Sequence, residues 1–216
     1  MTNRRDFSRH LLAAGAVFAA PPAVLARGAA PVEGTHFVRL NTPASVSLPT
    51  PDKKIDLVEF FWYGCPHCNA FEPALESWVK RLPPDVSFRR VHVGFGAPHQ
   101  AHQKLFYALE ELGLLDTLHR KVFAAIHMQN KRLLTDADIA AFGTESGIDG
   151  AKLVAATKSF GVVTKATRAR QLSEAYKIDG VPAIGVQGRY YTSGSLAGSM
   201  ERMVTVADYL IGKSRA

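Results

Sequence analysis

The sequence predicts an α/β fold: one sheet domain interrupted by a block of helices. Three observations predict it. A strand–helix–strand run covers residues 55–93, helical periodicity fills residues 99–178, and strand signals return only after Gly180. An α/β pattern interrupted in this way describes a single sheet carrying a helical insertion.

The elements follow in order. Residues 27–54 are rich in Pro, Ala, Gly and Thr, an extended lead-in with one short strand around Phe37–Leu40. Ile55 to Trp62 is a near-continuous apolar run with aromatic and β-branched residues, suited to a strand buried on both faces. Gly64 breaks it. From Cys65 the spacing becomes helical: Pro66 suits a first helical position, and Phe71, Leu75, Trp78, Val79 and Leu82 make one apolar face. Pro73 is expected to kink this helix and Pro83-Pro84 to end it. Val86 to Val93 alternates as a second strand. In the helical block, Leu105, Ala108, Leu109 and Leu112 form one stripe, and Leu115, Leu118, Val122 and Ile126 another. Thr135-Asp136-Ala137-Asp138 has the form of a capping box, Gly147 and Gly161 punctuate further helices, and a last one runs from about Thr164 to Lys177, closed by Gly180. Ala183–Gln187 and Tyr190–Thr192 read as strands around a Gly188-Arg189 turn, and a helix from Ser199 to Gly212 ends the chain.

Composition narrows the function. The 216 residues are 47% apolar and 21% charged, which excludes a disordered chain. Residues 1–26 have a basic start at Arg4, Arg5 and Arg9, an apolar centre from Leu11 to Ala20 and a small-residue site at Val24-Leu25-Ala26, the pattern of a cleaved export signal. The paired arginines before Asp6-Phe7 resemble a twin-arginine signal, although an ordinary Sec leader shares the basic end. Its removal takes away three arginines and one aspartate, so the formal +7 becomes +5. That surplus is spread along the chain without a basic run, which argues against a nucleic-acid partner.

Only two cysteines exist, in Cys65-Pro66-His67-Cys68. A thiolate, not a thiol, attacks a disulfide. Cys65 falls at the start of a helix, where unpaired backbone N–H groups and the helix dipole favour a negative sulfur. Cys68 lies about one turn further on, near enough to close a small disulfide and shielded from outside attack. A protonated His67 between the sulfurs adds to the stabilisation of the thiolate. A stabilised thiolate favours the reduced protein, which makes the disulfide form a strong oxidant. Half of a zinc site and a purely structural bridge compete with this reading, but the second ligand pair is missing and so short a loop gains little from a bridge. The His99-x-x-His102 pair reads as a solvated helix face.

Val58-Glu59-Phe60-Phe61-Trp62-Tyr63-Gly64-Cys65-Pro66-His67-Cys68 resembles the active-site strand and helix start of the DsbA family, and Gly180-Val181-Pro182-Ala183 resembles its second signature. The likeness extends from about residue 32 to the C-terminus. It implies a thioredoxin-like fold with an inserted all-helical subdomain: residues 27–98 and 179–216 as the two thioredoxin-like parts, and 99–178 as the insertion. It implies a cis Val181–Pro182 bond facing the cysteines and a buried acid at Glu59, beneath the active site, that helps proton transfer around Cys68. Glu72 and Arg90 match charged family positions and are expected to be electrostatic tuners or surface charges. Where Arg90 stands the family more often has lysine, and an arginine cannot give up its proton.

The implied activity is thiol–disulfide exchange in the periplasm without a bound cofactor. Newly exported or unfolded proteins with free thiols would be the substrates, a quinone-linked membrane oxidase resembling DsbB would restore the disulfide, and the chain would act as a monomer. A reductase or isomerase would use the same residues in the opposite direction. A holdase or peptide-binding module would not need the cysteines at all.

Overall fold

The computed structural model describes residues 29–44 and 54–215; the predicted export signal lies outside them, as do residues 45–53 of the lead-in. The unit beginning at Pro31 carries a mixed five-stranded sheet. Its strands are β1 (Val38–Arg39), β2 (Ile55–Phe61), β3 (Val86–His92), β4 (Ala183–Val186) and β5 (Tyr190–Ser193), in the order β1-β5-β4-β2-β3. Only β2 and β3 run parallel, joined by the crossover helix α1 (Pro66–Val79). The other pairs are antiparallel, with β4 and β5 joined through the left-handed residues Gln187 and Gly188.

Every residue of β2 is buried, as its continuous apolar run requires for a strand covered on both faces. Ile55 and Leu57 point into a core with Phe71, Leu75 and Trp78 of α1 and with Met203, Val206 and Leu210 of the last helix, α8 (Met200–Arg215). Val58 and Phe60 point into the other core, made with the helical block. That block is α2 (Ala97–Glu111), α3 (Leu115–His127), α4 (Asp136–Glu145), α5 (Gly150–Thr157) and α6 (Phe160–Ala175). The Thr135–Asp138 capping box forms in full.

Some boundaries differ from the sequence expectation. α1 contains Pro73, as expected, but ends at Val79, ahead of Pro83-Pro84. α6 starts at Phe160, because the Ser159 hydroxyl caps it by accepting from Val162 N, and Gly161 therefore lies in its first turn rather than ahead of it. The helix ends at Ala175 and is closed by Lys177 in the left-handed conformation (φ 55°), not by Gly180; Ile178 N bonds Ser173 O at 2.9 Å. A short helix α7 (Gly194–Ala197), capped by Ser193, precedes α8, which passes through Gly212 to Arg215. The His99–His102 pair is not a solvated face: His102 is buried, because the Trp62 indole donates to its Nδ1 (3.0 Å) and its Nε2 meets Arg132 O (2.8 Å). His99 is partly buried and stacks on Trp62 at 4.1 Å.

One glycine in the sheet is required by packing. A Cβ at Gly185 would lie 2.5 Å from Tyr176 Cε1 and 2.8 Å from Cζ. Tyr176 cannot swing away easily, since its hydroxyl accepts from Gly188 N at 2.8 Å and its ring packs on Phe60. Gly185→Ala is therefore expected to lower stability by about 1–3 kcal/mol in urea unfolding, with the redox couple unchanged.

Candidate active site

The strand–loop–helix junction places Cys65 as the N-cap of α1. Its sulfur takes the position of a capping oxygen, accepting from Cys68 N at 3.4 Å, with Pro66 in the first turn. On the other side the Cys65 thiol points at the Val181 carbonyl, 3.5 Å away, which brings the cis Val181–Pro182 peptide against the cysteine. Cys65 is 6% exposed and Cys68 0%. Both are free thiols, so the geometry is that of the reduced form. His67 projects into solvent.

The two sulfurs are driven apart in acidity. Cys65 is brought down to about 6, chiefly because the Cys68 thiol hydrogen-bonds to it; burial opposes this, and the backbone N–H groups of Cys68 and His67, then the charge of His67, add to it. The imidazole is thus a smaller contributor than the sequence suggested. Burial, the hydrogen bond to Cys65 and the nearby negative charges hold Cys68 far above the ordinary thiol range. One sulfur is a ready nucleophile and leaving group, and the other keeps its proton.

This difference has a consequence for stability. The folded pKa of Cys65 lies below its ordinary value of 9.0, so its contribution is fully present above that value and is lost as pH falls through 6. The reduced chain is expected to gain about 1–2 kcal/mol relative to the disulfide form between pH 5 and pH 7. Urea unfolding of both forms at the two pH values checks this; an equal difference at both would refute it.

A buried charge cluster lies beneath the cysteines. The parallel register pairs Glu59 of β2 with Arg90 of β3. Arg90 Nε is 3.0 Å from Glu59 Oε2, and its Nη2 bonds Glu72 Oε1 of α1. Glu72 also touches His119 of α3, with Nε2 at 3.3 Å from the same oxygen. Both carboxylates are 1% exposed, so Glu72 is not a surface charge, while Arg90 is half-buried. Burial, then the charge of Glu72, pushes Glu59 up to about 8 against the pull of Arg90. Burial pushes Glu72 the same way, but His119 and Arg90 outweigh it and hold Glu72 below its usual range.

Four residues that were not singled out in the sequence complete the site. Tyr63, two positions before Cys65, is gripped by three histidines. His92 Nε2 accepts from its N–H (3.1 Å), His127 Nε2 meets its carbonyl (2.7 Å), and its hydroxyl meets His119 Nδ1 (2.9 Å). One signal was available: His119 falls next to Leu118 on the Leu115–Val122–Ile126 stripe, a polar residue on an apolar face. Which groups it would meet there is a matter of tertiary packing.

A cysteine pair of split acidity at a helix start, facing a cis-proline loop on this sheet, defines a thiol–disulfide oxidoreductase of thioredoxin-like fold. Comparison with known proteins agrees. Residues 56–210 match the family model of the DSBA-like thioredoxin domain. The thiol:disulfide interchange protein DsbA of Pseudomonas aeruginosa is 40% identical over 183 residues, 85% of each chain, and that of Bordetella pertussis is 42% identical over 212 residues, 97% of each. The crystal structure of P. aeruginosa DsbA superposes with a TM-score of 0.80 at 39% identity, covering 86% of this chain and 95% of the other. The chain belongs to the DsbA family, and its activity is protein thiol–disulfide exchange.

Proposed function

We propose that the chain works as an oxidant in the periplasm, donating a Cys65–Cys68 disulfide to newly exported proteins. Residues 1–26 would direct export, by the twin-arginine route, and be removed. The observation that carries the direction is the place of Cys65 as the N-cap of α1, its sulfur accepting from Cys68 N at 3.4 Å, an environment that lowers its pKa to about 6. It stabilises the reduced form, so the disulfide form gives up its oxidising equivalent readily.

A substrate thiolate attacks Cys65 Sγ. The Cys65–Cys68 bond breaks, the electron pair goes to Cys68 Sγ, and that sulfur takes a proton. A second substrate thiolate then attacks the substrate sulfur of the mixed disulfide and expels Cys65 as thiolate. The substrate leaves oxidised by two electrons. Glu59 is the proton donor to Cys68: its charge is felt at that sulfur, and with a pKa near 8 it carries a proton at neutral pH. Arg90 and Glu72 tune it. Pro66 and His67 shape the helix start, and Val181 and Pro182 flank the sulfur where the substrate chain lies. A membrane partner resembling DsbB, passing electrons to quinone, returns the protein to its disulfide form, and the protein acts as a monomer. Among the described residues no helix is long and apolar enough to cross a membrane.

Equilibration with glutathione buffers tests the direction. A reduction potential near about −120 mV is expected, whereas a value near about −270 mV would make the protein a reductase.

A further inference from the structure

Arg90 is shared. Its Nε faces Glu59 and Nη2, on the same edge of the guanidinium, meets Glu72, so whatever holds Glu72 in place decides how much of that charge Glu59 receives. Two buried carboxyl groups share one arginine, and Glu59 Oε1 and Oε2, Glu72 Oε2, Arg90 Nε and His119 Nε2 face one another without a hydrogen bond of good geometry. The remaining group that touches the cluster is an imidazole, His119, with Nε2 at 3.3 Å from Glu72 Oε1.

The orientation of that imidazole is set from its far side. The Tyr63 hydroxyl lies 2.9 Å from Nδ1. A neutral imidazole carries its hydrogen on one nitrogen only. If the hydroxyl donates to Nδ1, the hydrogen is on Nε2, 3.3 Å from Glu72 Oε1. Burial favours the neutral ring and outweighs the pull of Glu72. The other charged or titratable groups acting here are Glu76 of α1, Arg90 and His92 of β3, and Arg120, which acts on Glu72 from the histidine's own helix. Tyr63 itself is fixed at its N–H and carbonyl by His92 and His127, so the hydroxyl is delivered to His119 by the same loop that carries Cys65.

We propose that His119 is a positioning residue of the redox centre: oriented by Tyr63, it steadies Glu72 against Arg90 and so sets the share of the guanidinium charge that Glu59 receives. The inference rests on the reading above in which Glu59 supplies the proton to Cys68, and it adds the residues that set the acidity of that donor. Without His119, Glu72 depends on Arg90 alone and draws it away. Glu59 then holds its proton more tightly and gives it up less readily to the Cys68 thiolate.

The test is an NMR titration of the Glu59 side-chain carboxyl carbon in the reduced full-length mature protein, compared with His119→Leu and His119→Gln. His119→Leu is expected to bind the Glu59 proton about tenfold more tightly, an upward shift of about one pH unit. His119→Gln keeps an N–H that can face Glu72 and is expected to restore most of the original midpoint. An unshifted midpoint in a folded His119→Leu protein would overturn the proposal, and so would a Gln variant that behaves like Leu. If His119→Leu does not fold, Tyr63→Phe takes its place: it removes only the hydroxyl, is expected to shift the midpoint in the same direction, and overturns the proposal if it does not. The underlying reading is tested separately, by the pH profile of mixed-disulfide formation in Glu59→Gln. A profile unchanged by that substitution removes Glu59 as the donor, whatever the carboxyl titration shows.

Discussion

Cys65→Ser is expected to bring dithiol oxidation down to the uncatalysed rate, while Cys68→Ser forms mixed disulfides that persist. At pH 7 a thiol titrating near 6 is about nine-tenths thiolate, whereas Cys68 keeps its proton and has no exposed surface. Cys65→Ser leaves no Cys65–Cys68 disulfide to donate, and the remaining sulfur has no exposed surface from which to exchange. The second position separates two roles of Cys68. Its thiol makes the largest contribution to the acidity of Cys65 by hydrogen-bonding to it. A serine hydroxyl can donate in its place and an alanine cannot, so Cys68→Ala is expected to raise the Cys65 pKa by about one unit while Cys68→Ser leaves it close to 6. Ultraviolet thiolate absorbance against pH reads both. Equal values in the two variants would mean that backbone N–H groups alone hold the thiolate.

Arg90→Met is expected to destabilise the protein by about 3–5 kcal/mol in urea unfolding at pH 7, because it leaves the buried Glu72 carboxylate without its cation, Glu59 being already protonated there. The loss should shrink as the pH is lowered and Glu72 can be protonated as well. Adding Glu59→Gln and Glu72→Gln to Arg90→Met is expected to recover most of it, since neutral side chains no longer need the charge. Arg90→Lys should recover less: the guanidinium serves Glu59 through Nε and Glu72 through Nη2, and a single ammonium cannot span both in the same way. A loss below about 1 kcal/mol in Arg90→Met would show that solvent already screens the cluster.

The parts of the site that could be read in the sequence are those set by local structure. Cys65 and Cys68 were legible because a helix start follows directly from Gly64 and Pro66, and the acidity of Cys65 is largely made within that one turn. Glu59 was legible as an acid set between Leu57-Val58 and Phe60-Phe61 in a strand. Val181–Pro182 was legible only through its likeness to a family signature, since no local rule brings a loop from the far side of the helical block against Cys65. Glu72 and Arg90 stand in the sequence as charges, but their burial is not legible there. It follows from the parallel register that sets Arg90 beside Glu59 and from the packing of α1 against α3.

By itself the sequence determined the redox pair, the direction in which helix-start electrostatics bias it, and an interrupted α/β order that admits one sheet. Tertiary structure decided which charges meet. His119 is 56 residues from Tyr63, and His127 is 64 from it. Periodicity shows that His119 lies on a buried stripe, but the partner across from it is chosen by how α3 docks on α1 and the active-site loop. Hydrophobic periodicity sets which side of an element is buried. The match of hydrogen-bonding groups across a packed interface belongs to two elements at once, and neither one carries that information alone.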